Sequence, residues 1–183
     1  VNFKVSFIAE RKQQGFTLIQ LMAVVAIVGI MFQVGSALFA DVVHRKVVRS
    51  TALQLEKRIG FIVQQSKGRG EAMAICAGQS TNCNTNDWSL GYVTVTTNPV
   101  SDTPGKVEVV HRVEALDPVV NILSNRQKLV FLPGGFLESN TDEAFYVCPI
   151  HRAQFSYKIT VSASGLVDFE ELKGEMKCDQ ISV

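Results

Sequence analysis

Between Phe16 and Ala40 the chain carries no charged residue. A helix of that run, rising 1.5 Å per residue, is roughly 37 Å long and exceeds a hydrocarbon core of ~30 Å. The first element is therefore expected to be helical and to serve as a secretory signal peptide, a plain membrane anchor or something more specific. A basic flank, Arg11 and Lys12, precedes it, followed by Gln13, Gln14 and Gly15. An ordinary signal peptide has a short apolar centre with its small-residue cleavage site after it. Here the well-marked small residue, Gly15, lies before the run. Cleavage there leaves the apolar helix on the protein.

The helical pattern continues past Ala40. Val48, Leu55, Ile59 and Ile62 fall on one face of an amphipathic helix, now mixed with charge. No proline occurs before Pro99. One helix is predicted from Phe16 to about Ser66, ended by Gly68 and Gly70, with Gly29 and Gly35 as kink or close-packing points. Its outer half is basic: Arg45, Lys46, Arg49, Lys57, Arg58, Lys67 and Arg69 stand against Asp41 and Glu56. The C-terminal region is acidic, with Asp168, Glu170 and Glu171 among its carboxylates. A solvated helix face explains the pattern; a head-to-neighbour charge contact is the sharper alternative.

After Gly70 the pattern changes to short β-rich runs. Strands are predicted over 72–77, 90–97, 106–114, 128–132, 145–148, 155–162 and 166–169. Turn chemistry separates them at 78–87, 98–105, Pro133-Gly134-Gly135 and Ser164-Gly165. The fold class is thus α+β: a long N-terminal helix packed on a small antiparallel β-sheet or β-sandwich head. The length of 183 residues leaves room for one such domain plus an anchor.

The formal net charge is +1, and the first fifteen residues hold Lys4, Arg11 and Lys12 against Glu10. The remainder is close to neutral, which is no global signature of nucleic-acid binding. The basic flank puts its own end in the cytoplasm and the head outside. Cys76, Cys83, Cys148 and Cys178 all follow the apolar run, so all reach an oxidising compartment, where an even number reads as disulfides. The expected pairs are Cys76–Cys83, which would close a local loop, and Cys148–Cys178, which would tie the tail to the head. No metal site is expected: there is no Cys-x-x-Cys pair, and His44, His111 and His151 show no ligand spacing.

The stretch Gly15-Phe16-Thr17-Leu18-Ile19-Gln20-Leu21-Met22 closely resembles the type IV prepilin signature. The resemblance implies that a prepilin peptidase cuts after Gly15 and N-methylates Phe16. The family usually has Glu at the fifth residue after the glycine, pairing with a mature N-terminal amine. Gln20 stands there, keeping hydrogen-bonding capacity without the charge. As an assembly residue it implies a subunit used in low copy or at a filament tip. Further on, Leu53-Gln54-Leu55, Ile75-Cys76, Cys83, Trp88-Ser89-Leu90-Gly91-Tyr92, Phe131-Leu132-Pro133-Gly134-Gly135, Tyr146-Val147-Cys148 and Ile159 to Gly165 resemble the FimT/FimU/GspH group of minor pilins and pseudopilins.

That group implies a pilin-like division: residues 1–15 as leader, 16–40 as the transmembrane and assembly half of the helix, 41–70 as its amphipathic half, and 71–183 as a β-rich periplasmic head. It implies single-pass insertion in a bacterial inner membrane and incorporation into a type IV pilus or a type II secretion pseudopilus. The expected partners are other minor and major pilins or pseudopilins and the prepilin peptidase, with no cofactor. FimT-like members bind DNA through a Gly-Arg-x-Arg type motif. The corresponding place here reads Gly165-Leu166-Val167-Asp168, without either arginine, so a DNA receptor is the alternative and is not favoured. No serine has His and carboxylate partners at a recognisable spacing, and Gly68-Arg69-Gly70 lacks the continuation of a phosphate loop. An enzyme is the least favoured class.

Overall fold

The structure, a computed structural model, describes residues 17–97, 107–150 and 155–173, with the side chains of residues 32–41, Thr97 and Lys173 left aside. Gly15, Phe16 and Cys178 lie outside the described residues. The chain divides into two compact units, Val1–Asp41 and Val42–Val183. One helix, α1, spans Leu18–Arg69 and contributes to both. In the first unit every described side chain from Leu18 to Met31 is exposed. Among the described residues no helix is long and apolar enough to cross a membrane. The uncharged run of the sequence continues into the residues whose side chains are left aside.

In the second unit, α1 buries Val48, Ala52, Leu55, Ile59, Ile62 and Val63. Their steps of three and four residues trace one stripe of a 3.6-residue helix. Burying each large aliphatic side chain stabilises by about 1.5–3 kcal/mol. Ser66 is also buried in this stripe, and its hydroxyl donates back to the Val63 carbonyl at 2.9 Å. The helix ends where Gly70 adopts φ +64° and donates to the Ser66 carbonyl at 3.1 Å. That left-handed conformation costs glycine little. The helix therefore runs one turn beyond the expected Ser66, and Lys67 and Arg69 complement the negative end of its dipole.

Among the described residues eight strands follow: β1 Ala72–Ala77, β2 Tyr92–Thr97, β3 Val109–Val113, β4 Val120–Leu123, β5 Lys128–Phe131, β6 Glu143–Pro149, β7 Phe155–Val161 and β8 Val167–Lys173. They form two four-stranded sheets, ordered β3-β2-β1-β5 and β4-β6-β7-β8, with every pairing antiparallel. One core joins α1 to both sheets through Met73, Ile75, Leu129 and Phe131 from the first and Phe145, Val147, Tyr157 and Ile159 from the second. On the other face of the first sheet, Ala74, Cys76, Val93, Val95 and Val130 form a smaller cluster. All six residues of β1 are consequently buried, which hides the usual alternation of a strand.

Trp88 ties the two sheets together. It opens a single 3₁₀ turn, Trp88–Leu90, capped by Asp87, whose carboxylate accepts from the Ser89 amide at 2.9 Å. The turn occupies the start of the strand expected over 90–97, because Gly91 at φ +89° separates it from β2. The Trp88 ring is fully buried, meets Phe145 of β6 edge-on at 4.9 Å, and donates its N–H to the Arg126 carbonyl at 2.9 Å. Cys76 in β1 is bonded to Cys83 in the following loop, pinning that loop to the second face of the sheet. Cys148 is disulfide-bonded as well, its partner lying outside the described residues.

Candidate functional site

The signature at the start of α1 forms a reciprocal cap. The Thr17 amide donates to Gln20 Oε1 at 3.0 Å, and the Gln20 amide donates to Thr17 Oγ1 at 3.4 Å. This is a capping box, Thr-x-x-Gln, in which two side chains satisfy backbone donors that the first turn leaves open. The first turn has no acidic residue, so this neutral pair is what meets the positive end of the helix. The Thr17-x-x-Gln20 spacing carries this cap in the sequence, beside the assembly role expected of Gln20. Its carbonyl oxygen is engaged within its own chain, whereas its amide nitrogen has no partner among the described residues. Gln20→Ala is expected to cost the first turn ~1 kcal/mol, by analogy with the loss of other caps, while Gln20→Glu keeps the box. Amide exchange at Leu18–Leu21 in detergent-solubilised protein would report it; equal protection in both variants would show that the cap contributes nothing.

The basic and acidic surfaces meet inside the head. Arg45 of α1 donates to Glu171 of β8 at 2.7 Å, and its guanidinium lies 5.6 Å from the centre of the Phe155 ring. The hydrogen bond with Glu171 raises the Arg45 pKa above its ordinary value. Glu171 belongs to the acidic C-terminal region, and strand β8, longer than the predicted 166–169, brings it to the helix. Glu170 and Asp168 remain exposed, as do Lys46, Arg49 and Lys57, and none of these forms an ion pair among the described residues.

A cavity of about 440 Å³ lies beside β5, lined by Arg126, Lys128, Leu137, Glu138, Ser139 and Glu143 among others. Its buried carboxylate is fully engaged. Arg126 grips Glu143 with two nitrogens at 2.8 and 3.0 Å, and the Thr141 hydroxyl donates to the same group at 3.1 Å. The pairing raises the Arg126 pKa. Such a fork orders the loop before β6. Among the described residues, no cluster of three or more His, Cys, Asp or Glu is placed to hold a metal. At Gly165-Leu166-Val167-Asp168, Gly165 is buried in a turn while Leu166 and Asp168 are exposed. Cys76, Cys83 and Cys148 are disulfide-bonded, and Gly15 and Phe16 lie outside the described residues.

The family model for the type II transport protein GspH matches residues 47–165. The chain belongs to the GspH family. The match begins in the buried half of α1 and ends in the β7–β8 turn, so it covers most of the packed head. No curated protein matches this GspH-family chain. Among solved structures, it is similar to the type IV minor pilin FimU of Pseudomonas aeruginosa, with TM-score 0.56 and 16% identity, over 69% of this chain and 90% of that one. A second crystal form of FimU gives TM-score 0.53 at 16% identity, over 67% and 91%. The minor pseudopilin EpsH from the type 2 secretion system of Vibrio cholerae gives TM-score 0.51 at 9% identity, over 68% and 96%. These likenesses establish a shared pilin-like fold: an N-terminal helix packed on antiparallel sheets.

Proposed function

We propose that this GspH-family chain is a non-enzymatic, low-copy minor pilin or pseudopilin. It is held in the bacterial inner membrane by the run Phe16–Ala40, with its head in the periplasm, and enters a type IV pilus or a type II secretion pseudopilus. The observation that carries this reading is a GspH-family head following, on one chain, a Gly15-Phe16 prepilin signature. Assembly is its mechanism: apolar helix halves pack together, and heads contact other minor and major subunits. Gln20 supports the low-copy role, since a neutral amide forms a bond roughly half as strong as a charge-assisted one. That deficit matters most where the contact repeats at every subunit. The FimT-like DNA receptor is the weaker reading, because exposed Asp168 and Glu170 on β8 oppose phosphate.

Mass spectrometry of the membrane-extracted protein is expected to find a mature N-terminus at Phe16 carrying one added methyl group, and Gly15→Val is expected to block cleavage. The protein should also be sub-stoichiometric in purified filaments. An intact leader in cells with active prepilin peptidase would overturn the pilin assignment. Abundance equal to the main filament subunit would overturn the low-copy role.

A further inference from the structure

His111 sits at the centre of the edge strand β3, which among the described residues is paired on one side only, to β2. The register shifts between Thr94 and Val95: His111 opposes Thr94, Val109 opposes Val95, and Val110 is the extra residue. A bulge of this kind bends a strand and re-aims its side chains. Here the imidazole meets α1, where Arg58 Nη2 lies 2.8 Å from His111 Nε2. Val110 and Val113 pack against the core on either side of it. The Arg58 guanidinium itself lies 5.7 Å from the centre of the Phe61 ring.

A guanidinium only donates, so His111 Nε2 must accept, and the ring must be neutral with its proton on Nδ1. A second proton has only Nε2 to go to. That converts an N–H···N bond into two N–H groups facing each other, with two positive charges about 3 Å apart. We propose that the Arg58–His111 contact is a proton-sensitive latch, closed when the ring is neutral and opened by acid, that holds the edge strand β3 against α1. Edge strands are where one chain most readily pairs with another, so the latch sets how firmly this edge of the head is held. The inference does not depend on the assembly role.

The groups around the ring set the pH window. Burial lowers the His111 pKa below 6.5, and the Arg58 charge from α1 lowers it further. Among the described residues no carboxylate acts on the ring to oppose this. On β2, the hydroxyl of Tyr92 senses the same Arg58 charge but is pushed above its usual pKa by burial, so it stays neutral throughout. A base whose pKa is depressed in the closed state takes its proton more readily in the open state. The latch is therefore at full strength above about pH 6.5. It weakens as pH falls from there through the depressed value, by at most about tenfold in its equilibrium per pH unit.

The test is hydrogen exchange on the full chain in detergent micelles between pH 7.5 and 5, corrected for intrinsic rates, together with NMR titration of the labelled histidine rings. In the wild type, β3 amides are expected to lose protection with a midpoint below 6.5, while β6 and β7 amides hold theirs. His111→Gln offers a neutral acceptor and is expected to keep β3 protection independent of pH. Arg58→Gln removes the opposing charge and is expected to raise the His111 pKa toward its ordinary value, a readout that survives even if His111→Gln folds poorly. Constant β3 protection across the range in the wild type would overturn the latch. So would an equal loss in His111→Gln, or a His111 titration that ignores Arg58→Gln.

Discussion

Trp88→Ala is expected to destabilise the head by about 3–5 kcal/mol, as truncation of a large buried aromatic does. The ring is fully buried between the sheets and edge-on to Phe145 at 4.9 Å, so its removal leaves a cavity where β6 meets the 3₁₀ turn. The Arg126 carbonyl would also lose the donor that now reaches it at 2.9 Å. A typical hydrogen bond of this kind contributes about 0.5–1.5 kcal/mol. That loss propagates, because Arg126 is the residue that grips Glu143 at the start of β6. Trp88→Phe separates the two contributions: it keeps most of the packing and loses the hydrogen bond, so it should fall between wild type and Trp88→Ala. Denaturant unfolding followed by circular dichroism would rank the three proteins. Equal stability of Trp88→Phe and wild type would show that the Arg126 bond adds nothing.

The elements of this fold were legible where a single period dominates. The helix could be read because Val48, Leu55, Ile59 and Ile62 repeat on one face without an interrupting proline. Most strands could be read because β-branched runs are separated by glycine and proline turns. Strand β4, Val120–Leu123, was not foreseen: four residues beside a proline carry too little pattern to distinguish a strand from a loop. The ends of β6 and β8 were set too short, since Glu143 and Glu171 look like loop or surface residues until their cations, Arg126 and Arg45, are brought opposite them. Sheet order was not legible at all. It depends on pairings such as β1 with β5, which join distant parts of the sequence.

The functional residues divide in the same way. The stretch 15–22, which resembles a prepilin signature, is local, so sequence carries that resemblance entirely. The capping role of Gln20 is local too, and Thr17-x-x-Gln20 was its readable sign. The Arg58–His111 contact joins residues 53 positions apart through a bulge in β3, and no sequence pattern announces it. Local chemistry is visible in a sequence; chemistry made by bringing strands to a helix is visible only once the sheets are assembled.

Gly165→Ala is expected to weaken the head by about 2–6 kcal/mol. The position combines two costs. Gly165 has φ +80°, where a side chain is strained by ~1–3 kcal/mol. Its turn also presses on a second turn: a methyl group at Gly165 would overlap the Gly135 carbonyl oxygen and sit 3.2 Å from Val63 Cγ1 of α1. Overpacking of this kind adds about 1–3 kcal/mol. The approach has little room to relax. The two turns are joined by the Leu137 amide donating to the Ala163 carbonyl at 2.9 Å, and Gly165 itself donates to the Ser162 carbonyl at 2.8 Å. Gly135, at φ +81°, shares the backbone constraint, while a methyl group there would meet the Lys67 side chain, which can swing aside. The β5–β6 turn, the β7–β8 turn and the helix thus meet at a point that depends on backbone without side chains. Against a typical domain stability of about 5–15 kcal/mol, a loss at the upper end unfolds the head outright. Leu166→Ala, one residue on and 70% exposed, is the control and should shift stability by no more than about 0.5 kcal/mol. Thermal unfolding of the purified full chain would distinguish them, and a Gly165→Ala protein as stable as Leu166→Ala would refute the close approach of the two turns.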